Sequence, residues 1–418
     1  EVATWKFILE MCDKAAASLP DATTQERANK WTAYALKSRA ALYAASVGKF
    51  WDRNGAMLTG EAVTEKLVGG FTDADVKFFY EECIKASAEV IRSGKFSLYG
   101  ENPASLDEAA QNYHKIFVEG KGISEVIFLR DYVYPGIAHN MGKWHEPNQL
   151  AVEYGGRCCP TLDLVESYAV IDPQTRMGTY DVKLVTTNDG NENYATNGFN
   201  PNVDYKQYDD FATIFANRDP RLYASVILPN TQWGGQTILI QGGLRKQDKS
   251  VVWQANDSYV FDGVTYYGKG DSDEGRYSGW VDNRANGTRS GFLLKKYLKG
   301  SGDQVWDQVV TPFVDLRYAE VLLNYAEAVA ESNLPNAEGV ITKVHHRAGF
   351  LDNLALTSEN VRRERKAEFA LEYNTIWDYF RLREFHTIFD GTFRRRGLVP
   401  MLDFSGGEKK YIFVRAEV

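Results

Sequence analysis

The chain has 418 residues, of which 44% are hydrophobic and 25% are charged, a composition typical of a globular protein that buries a sizeable core. Lys and Arg together number 48 against 56 Asp and Glu, which gives a net charge of −8. This balance argues against nucleic acid and against an anionic membrane surface as partners, because both select basic faces. The sequence contains no run of about 18 apolar residues that could form a membrane-spanning helix.

The first part of the chain has helical patterns. Apolar residues recur at helical spacing over 5–19, 26–47, 71–93 and 106–117, and Gly94 is placed to end the third of these helices. Cys12 and Cys83 fall within helical patterns, which favours buried free thiols. Because the chain begins at Glu1 rather than at Met, we expect a processed or incomplete form that lacks any export signal.

The middle of the chain predicts short strands between long loops. Residues 171–310 hold 16 of the 35 glycines. Short β-like runs occur at 124–128, 182–186, 236–241, 251–254 and 258–261. Cys158 and Cys159 are adjacent in a loop, where a strained vicinal disulfide is the less favoured alternative to two thiols. So much irregular sequence inside a compact protein usually carries function.

Helical patterns return at 313–331, 336–348 and 359–383. Large and small residues alternate over paired helices, which predicts helix–turn–helix stacking of the tetratricopeptide kind, although the strict repeat of about 34 residues is absent. We therefore expect a mostly α fold with tetratricopeptide-like helix pairs and a loop-rich lobe containing a few short strands. The helical scaffold covers 1–122 and 313–383, and the lobe, which carries the ligand face, covers 123–312.

No catalytic or metal-binding motif is present in the sequence. Glu320 and Glu327 lie seven residues apart on one helix, a spacing that two glycosidase carboxylates could use. Arg317 and Arg347, however, are placed to pair with them, so structural ion pairing is the better interpretation. The mixed charges of 362–378 predict an ion-pair network in the same way. The six His residues lack metal-ligand spacing, and we predict no catalytic residue, no metal and no cofactor.

Aromatic side chains in the loops are the remaining candidates for function. A sugar ring has an apolar C–H face that stacks on an aromatic plane, and its hydroxyls need hydrogen-bonding side chains nearby. Segments 130–134 (RDYVY) and 140–145 (NMGKWH) supply both. The alternative is that most of these rings pack in the core. The candidate ligand-binding residues are Tyr132, Tyr134, Trp144 and His145, with Trp233 and Trp280 as second choices.

Motifs along nearly the whole chain, in order, resemble one family. They include SEVIF at 124–128, PTLDLV at 160–165, NRDPRL at 217–222, LRYAE at 316–320 with NYAEA at 324–328, and RAG at 347–349. This combination resembles the SusD/RagB-type outer-membrane nutrient-binding lipoproteins of Bacteroidetes. The family's lipid-bearing N-terminal Cys does not occur here, so we expect residues 1–418 to form a single SusD-like domain whose N-terminal part is missing.

The resemblance implies a SusD-like α–α superhelix and no catalysis. It implies a cell-surface protein that binds oligosaccharides or polysaccharides and passes them to a SusC-type TonB-dependent transporter. Such a protein lies on the extracellular face of the outer membrane, held by an N-terminal lipid anchor absent from this chain. Peptide capture of the RagB kind and a tetratricopeptide protein-interaction scaffold are the alternatives. Because ligand-contacting residues vary within the family, the aromatic candidates rest on loop chemistry alone.

Overall fold

A computed structural model describes residues 1–53, 59–65, 67–151, 154–194, 198–270, 279–280, 287–300, 305–332, 334, 339–392 and 394–418. The chain divides into two compact units. The helical unit consists of Glu1–Asp131 with Pro312–Phe393, and the mixed unit consists of Tyr132–Thr311 with Arg394–Val418.

The helices and strands are numbered separately in chain order. The helices are α1 (Val2–Ser18), α2 (Lys30–Lys49), α3 (Glu61–Thr64), α4 (Asp73–Arg92), α5 (Leu106–Glu119), α6 (Met141–His145), α7 (Asn148–Ala151), α8 (Leu162–Ser167), α9 (Pro220–Ser225), α10 (Tyr318–Ser332), α11 (Val340–Arg347), α12 (Ser358–Glu368), α13 (Asn374–Arg381) and α14 (Phe385–Ile388). The strands are β1 (Val126–Arg130), β2 (Val170–Ile171), β3 (Gly178–Thr179), β4 (Val226–Ile227), β5 (Gln232–Trp233), β6 (Gln236–Thr237), β7 (Gly243–Arg245), β8 (Val251–Val252), β9 (Ser258–Phe261), β10 (Val264–Tyr267), β11 (Leu293–Leu294), β12 (Phe313–Arg317), β13 (Arg396–Asp403) and β14 (Lys410–Glu417).

The helical unit is built around α2, which packs against α1, α4 and α10. Ala41, Ala44 and Ala45 on α2 are completely buried, and their small side chains let the neighbouring helices approach closely. Local signals define the helix ends. Gly94 has a left-handed φ of 63° after α4, as the sequence predicted. The hydroxyl of Thr357 accepts a hydrogen bond from the Asn360 backbone and caps α12.

Two predicted helices of this unit are interrupted. The segment expected to be helical over 313–331 begins with β12, which pairs antiparallel with β1. This pairing also places β1 in the helical unit, whereas we expected the loop-rich lobe to begin at residue 123. The segment 359–383 forms α12 and α13 rather than one helix, because Leu371 between them adopts a left-handed φ of 64°.

The mixed unit contains a four-stranded sheet with the order β14-β13-β7-β8. The hairpin of β13 with the edge strand β14 pairs antiparallel over eight residues and was not predicted. The run at 182–186 was predicted as a strand but forms none. Its backbone binds side chains instead: Leu184 N–H donates to Glu166 at 2.9 Å and Thr186 N–H donates to Glu192 at 2.7 Å.

The charged residues whose spacing predicted structural ion pairing are buried and paired, which confirms that interpretation. None of these residues is more than 5% exposed: Arg317, Glu320, Glu327, Arg365 and Glu368. Asp219 and Arg221 of the NRDPRL motif are also buried and pair with each other at 2.7 Å. The partners that we inferred from sequence spacing are wrong. Arg39, not Arg317, binds Glu320, with hydrogen bonds of 2.6 and 2.7 Å. Arg381, not Arg347, binds both oxygens of Glu327.

Arg317 lies at the centre of a second buried network in the same unit. Its guanidinium donates to Glu125 at 2.9 Å, to Glu368 at 2.5 Å and to Glu372 at 2.8 Å. Arg347 contacts Glu368 as well. The partners come from the residue before β1, from α12 and from the turn after α12, so they are distant in sequence. These arginines therefore connect separate elements of the unit, and sequence spacing could not identify the pairs.

Candidate functional site

Three aromatic rings meet in the mixed unit and form what we call the aromatic cluster: Trp144, Tyr154 and Trp306. The Trp144 and Trp306 centroids are 5.0 Å apart with planes at 82°. Tyr154 lies 5.9 Å from each, with planes at 73° to Trp144 and 61° to Trp306. Edge-to-face contacts of this kind are favourable between aromatic rings, so the three side chains hold one another in fixed orientations.

Backbone pairing between distant segments brings the cluster together. His139 forms an antiparallel bridge with Val309. Next to it, the Asn140 amide donates to an Asp307 carboxylate oxygen at 2.7 Å and accepts from the Asp307 backbone N–H at 2.6 Å. These contacts place Trp306 beside α6, which carries Trp144.

The turn after α7 supplies the third ring and a cation. Tyr154 has a left-handed φ of 68°, a strained conformation for a bulky residue that is often found at functional sites. A Cβ atom on Gly155 would lie 2.3 Å from the carbonyl oxygen of Glu146, so the chain can pass here only with glycine. Beyond the turn, the Arg157 guanidinium lies 4.0 Å from the centroid of the Trp144 ring.

The exposed surface of the cluster belongs to two of its three rings. Trp306 is 41% exposed and Tyr154 is 44% exposed. Trp144, the leading sequence candidate, is half-buried, and Arg157 covers part of its ring. Trp306 and Tyr154 therefore form the exposed surface of the aromatic cluster, and Trp144 supports them from within it. Neither Trp306 nor Tyr154 was among the sequence candidates. The pairing of residues 139 and 309, which brings Trp306 to the cluster, leaves no local signal in the sequence.

The other leading candidates lie near the cluster in the chain. His145 follows Trp144 on α6 and is half-buried. Burial, followed by the charge of Arg157, lowers the pKa of His145, so its imidazole is neutral at pH 7. Tyr132 is half-buried, with its ring 4.5 Å from that of His139. Tyr134 is exposed in the turn that follows.

Trp233, a second-choice candidate, has a structural environment. It packs against a buried cluster that includes Ile227, Ile238 and Leu293. Its indole N–H donates to the carboxylate of Glu146 at 2.8 Å. Glu146 is completely buried and also accepts from the Gly300 backbone at 3.0 Å. Trp233 therefore fixes the loop that follows Trp144.

Trp280, the other second choice, lines a cavity of about 460 Å³ beside the four-stranded sheet. We call this space the sheet cavity. Trp253 lines it as well and is 42% exposed. Of the sequence candidates, Trp144 thus lies in the aromatic cluster and Trp280 lines the sheet cavity.

The helical unit has a cavity of its own, of about 290 Å³, and Glu320 is among its lining residues. Both carboxylate oxygens of Glu320 accept hydrogen bonds from Arg39, whose positive charge compensates that of the carboxylate. Glu327 is completely buried against Arg381. Neither carboxylate is exposed in a way that a glycosidase acid or nucleophile requires.

The described residues contain no group of His, Cys, Asp and Glu side chains arranged to hold a metal ion. Within the same ranges, no helix has both the length and the apolar character needed to cross a bilayer. All four cysteines are free thiols, with Cys12 and Cys83 buried as predicted. Burial raises the pKa of the Cys158 thiol to about 11.

Comparison with known proteins gives consistent results. A SusD-like protein from Bacteroides fragilis NCTC 9343 is 21% identical with a TM-score of 0.57, over 99% of this chain and 65% of that one. A SusD-like carbohydrate-binding protein from the same strain is 20% identical with a TM-score of 0.60, over 94% of this chain and 60% of that one. The chain thus spans less than two thirds of the length of these relatives. No curated protein gives a significant match.

The structural likeness confirms the predicted fold, which is mostly α and SusD-like. The SusD family model matches residues 124–399, which is well over half of the chain. This range begins just before β1 and ends within β13, so it includes the aromatic cluster as well as helices of the helical unit. The chain belongs to the SusD family.

Proposed function

We propose that this protein binds oligosaccharides at its aromatic cluster and passes them on without chemical change. Family membership and the likeness to a structure described as a SusD-like carbohydrate-binding protein support a saccharide ligand. The observation that carries the proposal is the pair of exposed rings, Trp306 and Tyr154, held at 61° to each other on a packed support.

The chemistry of the cluster suits a saccharide. An exposed indole face stacks on the C–H face of a sugar ring, and burial of that apolar area drives the contact. Hydrogen-bonding groups lie beside the rings: the exposed carboxylate of Asp307 accepts from hydroxyls, and the exposed guanidinium of Arg157 donates to them. The rings are fixed by their mutual contacts, so binding orders few side chains and costs little entropy.

The affinity of such a site should be modest. Two exposed rings and a few polar groups bury much less area than a closed pocket does. We expect dissociation constants in the micromolar to millimolar range, about −8 to −4 kcal/mol. Weak binding suits a protein that must release what it captures.

Delivery completes the proposal. The family resemblance implies a lipid-anchored protein on the extracellular face of the outer membrane that passes the saccharide to a SusC-type TonB-dependent transporter. Co-purification of the full-length protein from membranes of its native host tests this part. Recovery of the transporter together with the protein is the expected result, and recovery of the protein without any TonB-dependent transporter would contradict it.

Calorimetric titration tests the binding site. The ligands are maltohexaose, cellohexaose, laminarihexaose, mannohexaose and xyloglucan oligosaccharides. We expect at least one to bind, and Trp306→Ala or Tyr154→Ala to weaken it by about tenfold, or 1.4 kcal/mol. Trp144→Ala should weaken it as well, because Trp306 loses its support.

The matched control is Trp377→Ala. Trp377 is 50% exposed and lies on α13 of the helical unit, so the same substitution is made on an equally accessible indole outside the cluster. Its affinity should equal that of the wild type. Absence of binding to every saccharide, or equal affinities for wild type and Trp306→Ala, would contradict the proposed site.

A further inference from the structure

The sheet cavity has a floor made of small side chains. In the hairpin of β13 and β14, Gly397 lies opposite Ala416 and Val399 lies opposite Val414. Cross-strand partners share a face of the sheet, and Val399, Val414 and Ala416 line the cavity. Because these side chains are short, the sheet leaves a space of about 460 Å³ that aromatic rings border rather than fill.

Two indoles form the walls of this cavity, and glycines let them approach the sheet. A Cβ atom on Gly397 would lie 2.9 Å from Cη2 of Trp280. Likewise, a Cβ atom on Gly243 would lie 2.9 Å from Cε3 of Trp253. Phe199 lies edge-on to Trp253, with centroids 6.2 Å apart and planes at 66°. Backbone and neighbouring rings therefore hold both indoles in place without a ligand.

The polar groups of the cavity have opposite charges. The Lys269 ammonium lines it and donates to the Trp280 carbonyl oxygen at 2.9 Å. The exposed Glu417 side chain also lines it. The ammonium donates hydrogen bonds and the carboxylate accepts them, which is the pair of functions that a hydroxyl-rich ligand needs. One positive and one negative group leave no net charge in the lining, so a ligand charge of either sign loses its hydration without net electrostatic compensation.

We propose that the sheet cavity is a second binding site, which takes a neutral sugar ring. The C–H face of the ring would contact Trp253 and Trp280, and its hydroxyls would hydrogen-bond with Lys269 and Glu417. The volume falls within the range of about 300–1,000 Å³ found for small-molecule sites. The inference goes beyond the proposed function, because the lining residues of the cavity and the aromatic cluster do not overlap.

Fluorine NMR on protein labelled with 5-fluorotryptophan can observe both sites separately. The chain has nine tryptophans, and single Trp→Phe variants assign their signals. The labelled full chain is titrated with maltose, cellobiose, laminaribiose and mannobiose, and with glucuronic acid and glucosamine as charged comparisons. We expect a neutral disaccharide to shift the Trp253 and Trp280 signals saturably, with the charged sugars weaker by about tenfold or more.

Two variants test the cavity itself. Ala416→Phe places a ring in the space and should abolish the shift of the Trp280 signal. Trp253→Ala removes one wall and should weaken binding by about tenfold. Trp253 is 42% exposed, so Trp253→Ala leaves the core intact. It therefore tests the cavity even if Ala416→Phe fails to fold. Trp377→Ala again serves as the control and should bind as the wild type does.

The outcomes separate this inference from the proposed function. Saturable shifts of the Trp253 and Trp280 signals that persist in Trp306→Ala support the second site, even if the aromatic cluster binds nothing. Shifts that disappear in Trp306→Ala but remain in Trp253→Ala would overturn it, since they would originate at the aromatic cluster. No saturable shift of either signal with any of the four neutral disaccharides would overturn it as well.

Discussion

Replacement of Arg317 by Met should strongly destabilise the helical unit. Arg317 is 1% exposed and pairs with Glu125, Glu368 and Glu372, of which the first two are completely buried. Methionine fills part of the volume but leaves these carboxylates without their main cation. Breaking a buried pair by removing one partner costs about 3–5 kcal/mol. Arg347 still contacts Glu368, so we expect a value within this range rather than a multiple of it.

Chemical denaturation followed by circular dichroism at the helical band measures the change in the free energy of unfolding. For a unit of this size, each kcal/mol shifts the melting temperature by roughly 2–4 °C, so the variant should melt roughly 6–20 °C lower. Arg92→Met, on the exposed face of α4, is the matched control and should change stability by no more than about 0.5 kcal/mol. A loss below about 1 kcal/mol for Arg317→Met would refute the reasoning.

Three further predictions concern pH, the cluster and catalysis. Burial alone would raise the pKa of Asp378, but Arg365 and Arg381 outweigh it and lower the pKa. The stability from this group is therefore complete above its unfolded pKa of about 3.9 and is lost as the pH falls further, which acid unfolding curves of wild type and Asp378→Asn can check. Gly155→Ala should weaken saccharide binding in calorimetry while Gly136→Ala, whose Cβ would make ordinary contacts, should not. Incubation with polysaccharides or peptides should release no product; turnover that a single carboxylate substitution abolishes would contradict this.

The local features of the fold could be predicted from the sequence, and long-range pairing could not. The end of α4 at Gly94 was predicted, and the cap of α12 at Thr357 depends in the same way on neighbouring residues. The central strand β13 contains Pro400, which lacks a backbone N–H and argues against a central strand. It is tolerated here because Pro400 contributes its carbonyl oxygen, which accepts from the Gly242 N–H at 2.8 Å.

The same limit applies to the candidate site. Residues 140–145 have the composition of a sugar site, and sequence reasoning selected Trp144 there. Which ring is exposed depends on packing, however, and Arg157 and Trp306 both approach Trp144 from other segments. Trp306 is separated from Trp144 by well over a hundred residues, and the two are brought together by the pairing of His139 with Val309 and the hydrogen bonds between Asn140 and Asp307.

A crystal structure of the full chain with a bound oligosaccharide tests the central claim most directly. The ligand is the saccharide that binds most tightly in calorimetry. We predict a sugar ring stacked on the exposed face of Trp306, with Tyr154 beside it and hydroxyls within hydrogen-bonding distance of Asp307 or Arg157. A saccharide bound only in the cavity of the helical unit or only in the sheet cavity, with the aromatic cluster empty, would contradict the account.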